Sequence, residues 1–316
     1  MAGFGPRVMP CPVEAREAAL AVLYRRIPAA LRDQLIAGVL DEASRGEVDL
    51  SGLWVARAKA GRITGVLLTQ TLAGKAAAVW APEMKTSWRR SALAAALVEA
   101  AMADLAARGY RLAQAVLDES AGPQAGQDLT RGGMPRVTEL LYLERDTATP
   151  LPLAGARSRV APGPSFEWRP FSSESEPEFR AVLQATYSGS LDMPELEGTR
   201  GLDDILDGHR AAGLFVPDRW QLGRIAGEPT AAAVLLMAEV PGRDAWEVIY
   251  LGLTPAARGR GLGRAVLGHA RELARVHTPR LELAVDLRNT PAVRLYRATG
   301  FTTRNRRTVH LAILGR

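Results

Sequence analysis

The chain has 316 residues, of which 47% are hydrophobic and 23% are charged, and its net charge at pH 7 is +6. This length is enough for two domains of ordinary size, and the composition is typical of a soluble globular protein. We expect no membrane span and no signal peptide, because the most apolar stretch, residues 92–107, carries Glu99 and Asp104, and the N-terminus lacks an apolar core.

The first half of the chain alternates between helical spacing and short β-forming runs. Two helices are predicted at 13–25 and 28–44, strands near 53–60, 62–71 and 76–81, a helix at 87–108, a strand at 111–117 and a closing strand near 138–144. A stretch rich in Pro, Gly, Ser and Thr follows and predicts a linker. We place this linker at residues 151–164, between one domain at 1–150 and another at 165–316.

The same order of elements returns after the linker, which indicates a duplicated domain. The predicted elements are a strand at 166–170, helices at 176–187 and 201–212, strands at 220–225, 230–240 and 245–253, a helix at 261–277, a strand at 281–287, a helix at 290–299, and a closing hairpin from 301–303 and 308–314. Strands and helices in both halves predict two α/β domains rather than one large sheet.

A glycine-rich turn follows the predicted strand 245–253 and opens the next helix. Its sequence is Arg258-Gly259-Arg260-Gly261-Leu262-Gly263-Arg264. The glycines let the backbone approach a ligand, and the free N–H groups and dipole at the helix start form an anion site suited to a pyrophosphate. The turn matches neither the P-loop nor the full dinucleotide fingerprint. Taken alone, it fits an ordinary turn before an amphipathic helix equally well.

A second pattern follows in residues 289–301, where Asn289 precedes a helix that carries Tyr296 and ends before Gly300 and Phe301. The two patterns, in this order, resemble the signatures of the GNAT superfamily of N-acetyltransferases. The strand that begins at Glu247 and the doubled layout resemble those of the mycothiol synthases, a tandem branch of that superfamily. The resemblance implies two tandem GNAT-like domains, each with a mixed, mainly antiparallel twisted sheet flanked by helices.

The resemblance also implies acetyl-CoA as cosubstrate. Tyr296 would lie near the sulfur and protonate the departing thiolate, which suits a phenol that is protonated at neutral pH. The structural alternatives, which do not exclude these roles, are a helix tyrosine that packs on the sheet and, for Asn289, a helix N-cap. The implied cofactor contacts are the backbone of Leu251, Gly252 and Leu253 for the pantetheine arm, the N–H groups of Arg258, Gly259, Arg260, Gly261, Leu262, Gly263 and Arg264 for the pyrophosphate, and the side chain of Asn289.

Glu247 is the candidate proton acceptor, because the attacking amine must be neutral and the superfamily often places an acid on this strand. Its parity with Leu251 and Leu253 predicts that all three share one face, provided that no bulge intervenes. The alternative is a solvent-exposed glutamate at the start of a strand.

The stretch 186–194 is the candidate acceptor loop, since its Gly, Ser and Pro residues predict a loop between helices. Tyr187 and Asp192 offer a ring and a carboxylate to a cationic substrate. A plain connecting turn with a core tyrosine is the alternative.

The first half lacks both patterns. At the position of the cofactor turn, residues 85–94 keep Arg89 and Arg90 but contain no glycine, and residues 119–126 replace the Asn and Tyr pattern without a tyrosine. Side chains in place of the glycines would crowd a close backbone approach. We therefore expect a degenerate GNAT-like domain that does not catalyse transfer, and whether it still holds a CoA stays open.

The sequence thus predicts transfer of an acetyl group to a primary amine of a small molecule, by direct attack in a ternary complex. A non-catalytic acyl-CoA sensor or scaffold is the alternative, and a nucleic-acid binder is a weaker one, because the positive charge is spread along the chain. Cys11 is the only cysteine and the four histidines show no ligand spacing, so we expect no metal. We also expect a cytoplasmic location and no membrane partner, and leave oligomerisation open.

Overall fold

The computed structural model describes residues 7–58, 61–85, 89–152 and 165–315, which pack as two compact units. The first unit comprises Met1–Val137 with Thr308–Arg316, and the second Thr138–Arg307. The predicted boundaries at 150 and 165 follow the repeat of elements along the sequence rather than the packing, and they stay a prediction. Of the predicted linker, residues 153–164 lie outside the described residues.

In the first unit, helices and strands alternate along the chain. They are β1 (Arg7–Pro10), α1 (Arg16–Leu23), α2 (Ala29–Ser44), β2 (Leu53–Arg57), β3 (Ile63–Leu72), β4 (Ala76–Val79), β5 (Glu83–Met84), α3 (Arg90–Ala107), β6 (Leu112–Leu117) and α4 (Gly122–Arg131). The strand order is β1-β2-β3-β4-β6, all antiparallel except the parallel pair of β4 with β6, and β5 pairs with β3. Residues 86–88, where the sequence predicts the start of α3, lie outside the described residues.

The second unit repeats this plan with longer strands. Its elements are β7 (Arg136–Asp146), β8 (Phe166–Pro170), α5 (Glu176–Tyr187), α6 (Leu202–Arg210), β9 (Trp220–Ile225), β10 (Ala231–Glu239), β11 (Trp246–Leu253), α7 (Gly263–Ala274), β12 (Arg280–Asp286), α8 (Thr290–Ala298) and β13 (Thr302–Ile313). The strand order is β7-β12-β11-β10-β9-β8, and only the pair of β11 with β12 is parallel.

The last strand differs from the predicted closing hairpin, which is wrong. Residues 302–313 form the single strand β13, whose end, from Thr308, pairs with β6 of the first unit. The polar run in its first half favours a turn locally, but the run is extended, and in it Arg304 pairs with Glu282 at 2.9 Å and Arg306 with Glu139 at 3.2 Å. Likewise β7, predicted to close the first half, pairs with β12 of the second unit.

Helices cover both faces of the strands in the second unit. One core lies beneath α7 and α8, and the other lies between α5, α6 and the opposite face. Eight of the nine residues of β10 are buried, as a strand covered on both faces requires. The predicted α/β class with a mixed, mainly antiparallel sheet is confirmed. None of the helices within the described residues has the length and apolarity that a membrane span needs.

Candidate active site

Strands β11 and β12 lie side by side at their starts and then separate. They pair in parallel only over residues 246–248 and 281–283, after which β11 continues beside β10 and β12 beside β7. A cavity of about 550 Å³ lies where they part. It is lined by Thr186, loop residues 189–192, strand residues 248–253 and 283–285, turn residues 258, 259 and 261–263, and Asn289, Pro291, Ala292, Leu295 and Tyr296.

A β-bulge interrupts β11 beside this cavity. In the register with β10, Leu236 lies opposite Tyr250 but the next residue, Met237, lies opposite Val248, so Ile249 is the additional residue. A bulge bends its strand and redirects the side chains that follow it. The bulge in β11 therefore sets which side chains of the strand face the cavity.

The bulge also changes the face on which Glu247 lies. Residues 246 and 248 before it, and Leu251 and Leu253 after it, all pack on the core beneath α7 and α8. Glu247 therefore points away from the face of Leu251 and Leu253, and the predicted shared face is wrong because one residue too many intervenes. Tyr250 packs on the opposite core, beneath α5 and α6.

Glu247 is half-buried and lies opposite Glu282 of β12. Burial raises the pKa of Glu247, the nearby Arg243 guanidinium lowers it, and the Glu282 carboxylate raises it again. A carboxyl group with a raised pKa is suited to accept a proton near neutral pH. Among the described residues that line the cavity, however, Glu247 is not included.

The glycine-rich turn presents its backbone to the cavity. Gly259 and Gly261 have φ angles of 74° and 73°, a conformation that residues with a side chain rarely adopt. Within the described part of the chain, the backbone N–H groups of residues 259–263 donate to no protein acceptor. They stand at the start of α7, a helix of 12 residues, where the helix dipole favours an anion.

Two of the three arginines of the turn are bonded to other parts of the protein. The Arg258 guanidinium donates to four backbone carbonyl oxygens, those of Thr186, Ser188, Gly189 and Leu253, at 2.8, 2.8, 3.1 and 3.2 Å. Arg260 pairs with Glu228 at 2.8 Å, and Arg264 is half-buried in the first turn of α7. The turn therefore offers a ligand its backbone N–H groups and the helix dipole, with Arg264 beside them, while Arg258 links the end of α5 to the turn.

Asn289 and Tyr296 reach the same cavity from α8. The Asn289 Oδ1 atom accepts from the Ala292 N–H at 3.3 Å and caps the helix, and Tyr296 is 8% exposed. Both structural alternatives are thus met while both residues also line the cavity. Burial raises the pKa of Tyr296, and so do the charges of Asp192 and Tyr250. The phenol is therefore protonated at neutral pH, as a general acid must be.

Residues 189–192 form one wall of the cavity, and the loop 188–196 that contains them is bonded to the end of β12. The Asp286 N–H donates to Asp192 Oδ1 at 2.8 Å, and the Met193 N–H donates to Asp286 Oδ2 at 3.1 Å. Arg288 pairs with Asp286 at 2.7 Å and with Glu195 at 2.6 Å. Asp286 and Arg288 were not among the site residues predicted from the sequence. The only local signal was the run Asp286-Leu287-Arg288 at the end of the predicted strand 281–287, directly before Asn289.

Tyr187 lies behind the cavity rather than in its lining. Its hydroxyl lies 2.7 Å from His209 Nε2, and its ring lies 5.0 Å from the ring of Tyr250. Burial, and to a smaller extent the Arg200 charge, lower the pKa of His209 to about 4. Tyr250, which the sequence analysis did not single out, lines the cavity with its hydroxyl 2.8 Å from Thr186 Oγ1, and burial raises its pKa to about 12.

The family model described as Acetyltransferase (GNAT) family matches residues 178–301, which contain the cavity's lining. The mycothiol acetyltransferase of Beutenbergia cavernae is 32% identical over 206 residues, covering 61% of this chain and 68% of that protein. The chain belongs to the GNAT family of acetyltransferases. The mycothiol acetyltransferase of Acidothermus cellulolyticus is 30% identical over 218 residues, covering 61% of this chain and 63% of that protein. The matched stretch thus spans about two thirds of these GNAT relatives.

A GCN5-related N-acetyltransferase from Sphaerobacter thermophilus has a similar fold, with a TM-score of 0.59, 17% identity, and coverage of 98% of this chain and 95% of that one. The likeness in fold therefore extends over both units. The predicted membership of the GNAT family and of the N-acetyltransferases is confirmed, and acetyl-CoA is the cosubstrate of this family.

Proposed function

We propose that this protein transfers the acetyl group of acetyl-CoA to a primary amine of a small molecule by direct attack in a ternary complex. One observation carries the proposal: the separated strands, the unpaired N–H groups of the turn and Tyr296 all meet at one cavity of about 550 Å³. A cavity of this size is typical of a small-molecule site.

The cosubstrate would lie along the opening between β11 and β12. There the backbone of residues 251–253 has no partner on β12, so it is free to pair with the amide groups of the pantetheine arm. Of the predicted residues 258–264, the N–H groups of 259–263 would hold the pyrophosphate at the start of α7, because those of Arg258 and Arg264 donate to Pro255 and Gly261. Asn289, after capping α8 with its Oδ1 atom, keeps its side-chain NH₂ group for the pantetheine portion.

Tyr296 would give its proton to the departing thiolate, and Glu247 would accept a proton from the attacking amine. Because Glu247 lies outside the cavity's lining, its part would run through a water molecule. Tyr187 would act from behind, by holding Tyr250 against the cavity.

The acceptor has to be reached through the same cavity. Asp192 offers a carboxylate on its wall, which suits an ammonium group. The curated relatives are named mycothiol acetyltransferase, so a mycothiol-related amine is the first acceptor to test.

Measurement of free thiol release over a panel of primary amines tests the proposal. Tyr296→Phe and Glu247→Gln are each expected to lower kcat by about 10²-fold or more, the usual size of an acid–base contribution, while acetyl-CoA binding stays intact. Intersecting initial-rate lines indicate a ternary complex, whereas parallel lines indicate an acyl-enzyme and contradict direct attack. Tight binding of acetyl-CoA, with no release of its thiol in the presence of any amine, would instead favour a non-catalytic sensor.

We further propose that only the second unit carries a cofactor site. The start of α3 has no glycine, and Arg90 there pairs with Asp128 of α4. The full chain is the appropriate sample, because a fragment of residues 1–150 would lack the β13 segment that pairs with β6. Calorimetric titration is expected to give one acetyl-CoA per chain, and a stoichiometry of two would contradict the proposal.

A further inference from the structure

The cavity contains a carboxylate, that of Asp192, to which no proton transfer has been assigned so far. Asp192 lines it together with Tyr296 and Tyr250, and its side chain is open to the cavity. Its charge also raises the pKa values of both tyrosines, which reflects how near the three side chains are. Asp192 therefore stands beside the proposed general acid, where the reacting groups would meet.

The Asp192 carboxylate is held from one side only. Its Oδ1 atom accepts the Asp286 N–H at 2.8 Å. Among the hydrogen bonds of the described residues, none reaches Oδ2, which leaves that oxygen for a ligand. The hydrogen bonds from Arg258 to the end of α5 fix the loop before Asp192, and the ion pairs of Arg288 fix it after Asp192. A fixed carboxylate with one free oxygen is a preorganised acceptor.

The charged and titratable groups around Asp192 come from three elements. Asp286 and Arg288 face it from the end of β12, Tyr250 from β11 and Tyr296 from α8. Desolvation by the surrounding protein raises the pKa of Asp192 although the side chain is open to the cavity. The Asp286 N–H lowers that pKa, the Asp286 charge raises it and Arg288 lowers it. A raised pKa makes the carboxylate a stronger proton acceptor near neutral pH.

We propose that Asp192 binds the ammonium group of the acceptor and removes its first proton, so that the amine becomes nucleophilic inside the cavity. This inference rests on the proposed acetyl transfer to a primary amine. It assigns to Asp192 a step that neither Glu247 nor Tyr296 performs.

The proton balance gives each group one task. An ammonium group carries three protons and the amide product keeps one. Asp192 takes the first, the nitrogen lone pair then bonds to the thioester carbonyl carbon as the C–S bond breaks, and Tyr296 protonates the thiolate. The second nitrogen proton passes through water to Glu247. One proton then returns to Tyr296, and the other is released to solvent.

Asp192→Asn tests this step, because the amide oxygen still accepts the Asp286 N–H but cannot take a proton. The variant must wait for an amine that is already neutral. At pH 7 that fraction is about 10⁻¹ for an amino-acid amide, with an ammonium pKa of about 8, and about 10⁻³ for a lysine-like alkylamine, with a pKa of about 10. We expect Asp192→Asn to lower kcat/KM about a hundredfold more for the alkylamine than for the amino-acid amide. Below the ammonium pKa, kcat/KM of the variant should rise about tenfold for each unit by which the pH is increased.

The wild-type pH profile gives a second readout. A protonated Asp192 cannot accept a proton, so kcat/KM falls as the pH drops through the pKa of Asp192. Because that pKa is raised, the fall begins at a higher pH than for an ordinary aspartate. In Asp192→Asn this acid limb is replaced by a fall that begins at the ammonium pKa of the amine. Glu197→Gln, which removes the same charge from an exposed position of the same loop, leaves the limb in place.

The outcomes separate the two proposals. Unchanged kcat/KM in Asp192→Asn at pH 7, or the same loss at every pH, overturns the role of Asp192 and leaves the acetyltransferase proposal standing. If none of the amines tested leads the wild-type protein to release thiol, both the role of Asp192 and the acetyltransferase proposal are wrong. Calorimetry with acetyl-CoA alone is expected to give the same Kd for the variant and the wild type, which shows that the cavity is intact.

Discussion

The helix starts of α3 and α7 occupy the same place in the two halves of the chain but are built differently. Before α7, Gly259 and Gly261 carry positive φ angles, and the N–H groups are free for a ligand. Before α3, the described part of the turn has a positive φ angle at Arg89, of 49°. Arg90 turns inward to Asp128, whose side chain is fully buried. One start exposes its backbone to a ligand, and the other uses its charge inside the protein.

The cavities of the two units differ in the same way. The cavity of the second unit lies between separated strands and touches the start of α7. In the first unit, a cavity of about 570 Å³ lies along α4, near the end of β6 and His310, and no residue of α3 lines it. A shared order of elements therefore does not preserve a binding site, because the site depends on a few backbone positions.

Among the variants that test this difference, Arg90→Met should change the protein most. Removing the guanidinium leaves the buried Asp128 with only the Gln124 amide, and breaking a buried pair costs about 3 kcal/mol or more. We expect the free energy of unfolding in urea to fall by about that amount, and the KM for acetyl-CoA to stay the same. If the KM for acetyl-CoA rose at a temperature where the variant is folded, a cofactor contact would lie in the first unit.

Gly261→Val sharpens the comparison from the other side. A side chain at a φ of 73° is strained by about 1–2 kcal/mol and stands where the phosphate must approach the backbone. We expect the Kd for acetyl-CoA, measured by calorimetry, to rise about a hundredfold, which corresponds to about 2.7 kcal/mol.

Gly227→Val is the matched control, because Gly227 has a φ of 82°, has open space around it and lies in the turn between β9 and β10. It carries the same backbone strain away from the cavity. An equal loss of acetyl-CoA affinity in both variants would mean that strain, rather than the anion site, explains the effect.

Arg258→Lys has the smallest expected effect. Lysine keeps the charge but lacks the planar fork that reaches four carbonyl oxygens, so the end of α5 and the acceptor loop become looser. We expect the KM of the acceptor to rise about three- to tenfold, equivalent to about 1 kcal/mol, and the KM of acetyl-CoA to change much less. Arg224→Lys, in an exposed pair with Glu167, is the control. If the KM of acetyl-CoA changed more than the KM of the acceptor, Arg258 would bind the cofactor directly.

Much of the site was predictable because its residues follow one another. The strand, the turn and the helix with Asn289 and Tyr296 lie within residues 246–298, so local spacing predicts their order, and all of them meet at the cavity. The face of Glu247 could not be predicted in this way. The bulge at Ile249 is a feature of the register with β10, and no residue type in β11 announces it.

The α/β class, the family and the composition of the cofactor turn could all be predicted from the sequence, because each depends on residues that are neighbours along the chain. The remaining features depend on contacts between residues that are far apart in the sequence. Asp192 and Asp286 are 94 positions apart, and the guanidinium of Arg258 reaches carbonyls some 70 positions earlier. The strand partner of β13 was decided in the same way. Hydrogen bonds and strand pairs join whichever groups packing brings together, and a linear pattern does not contain that information.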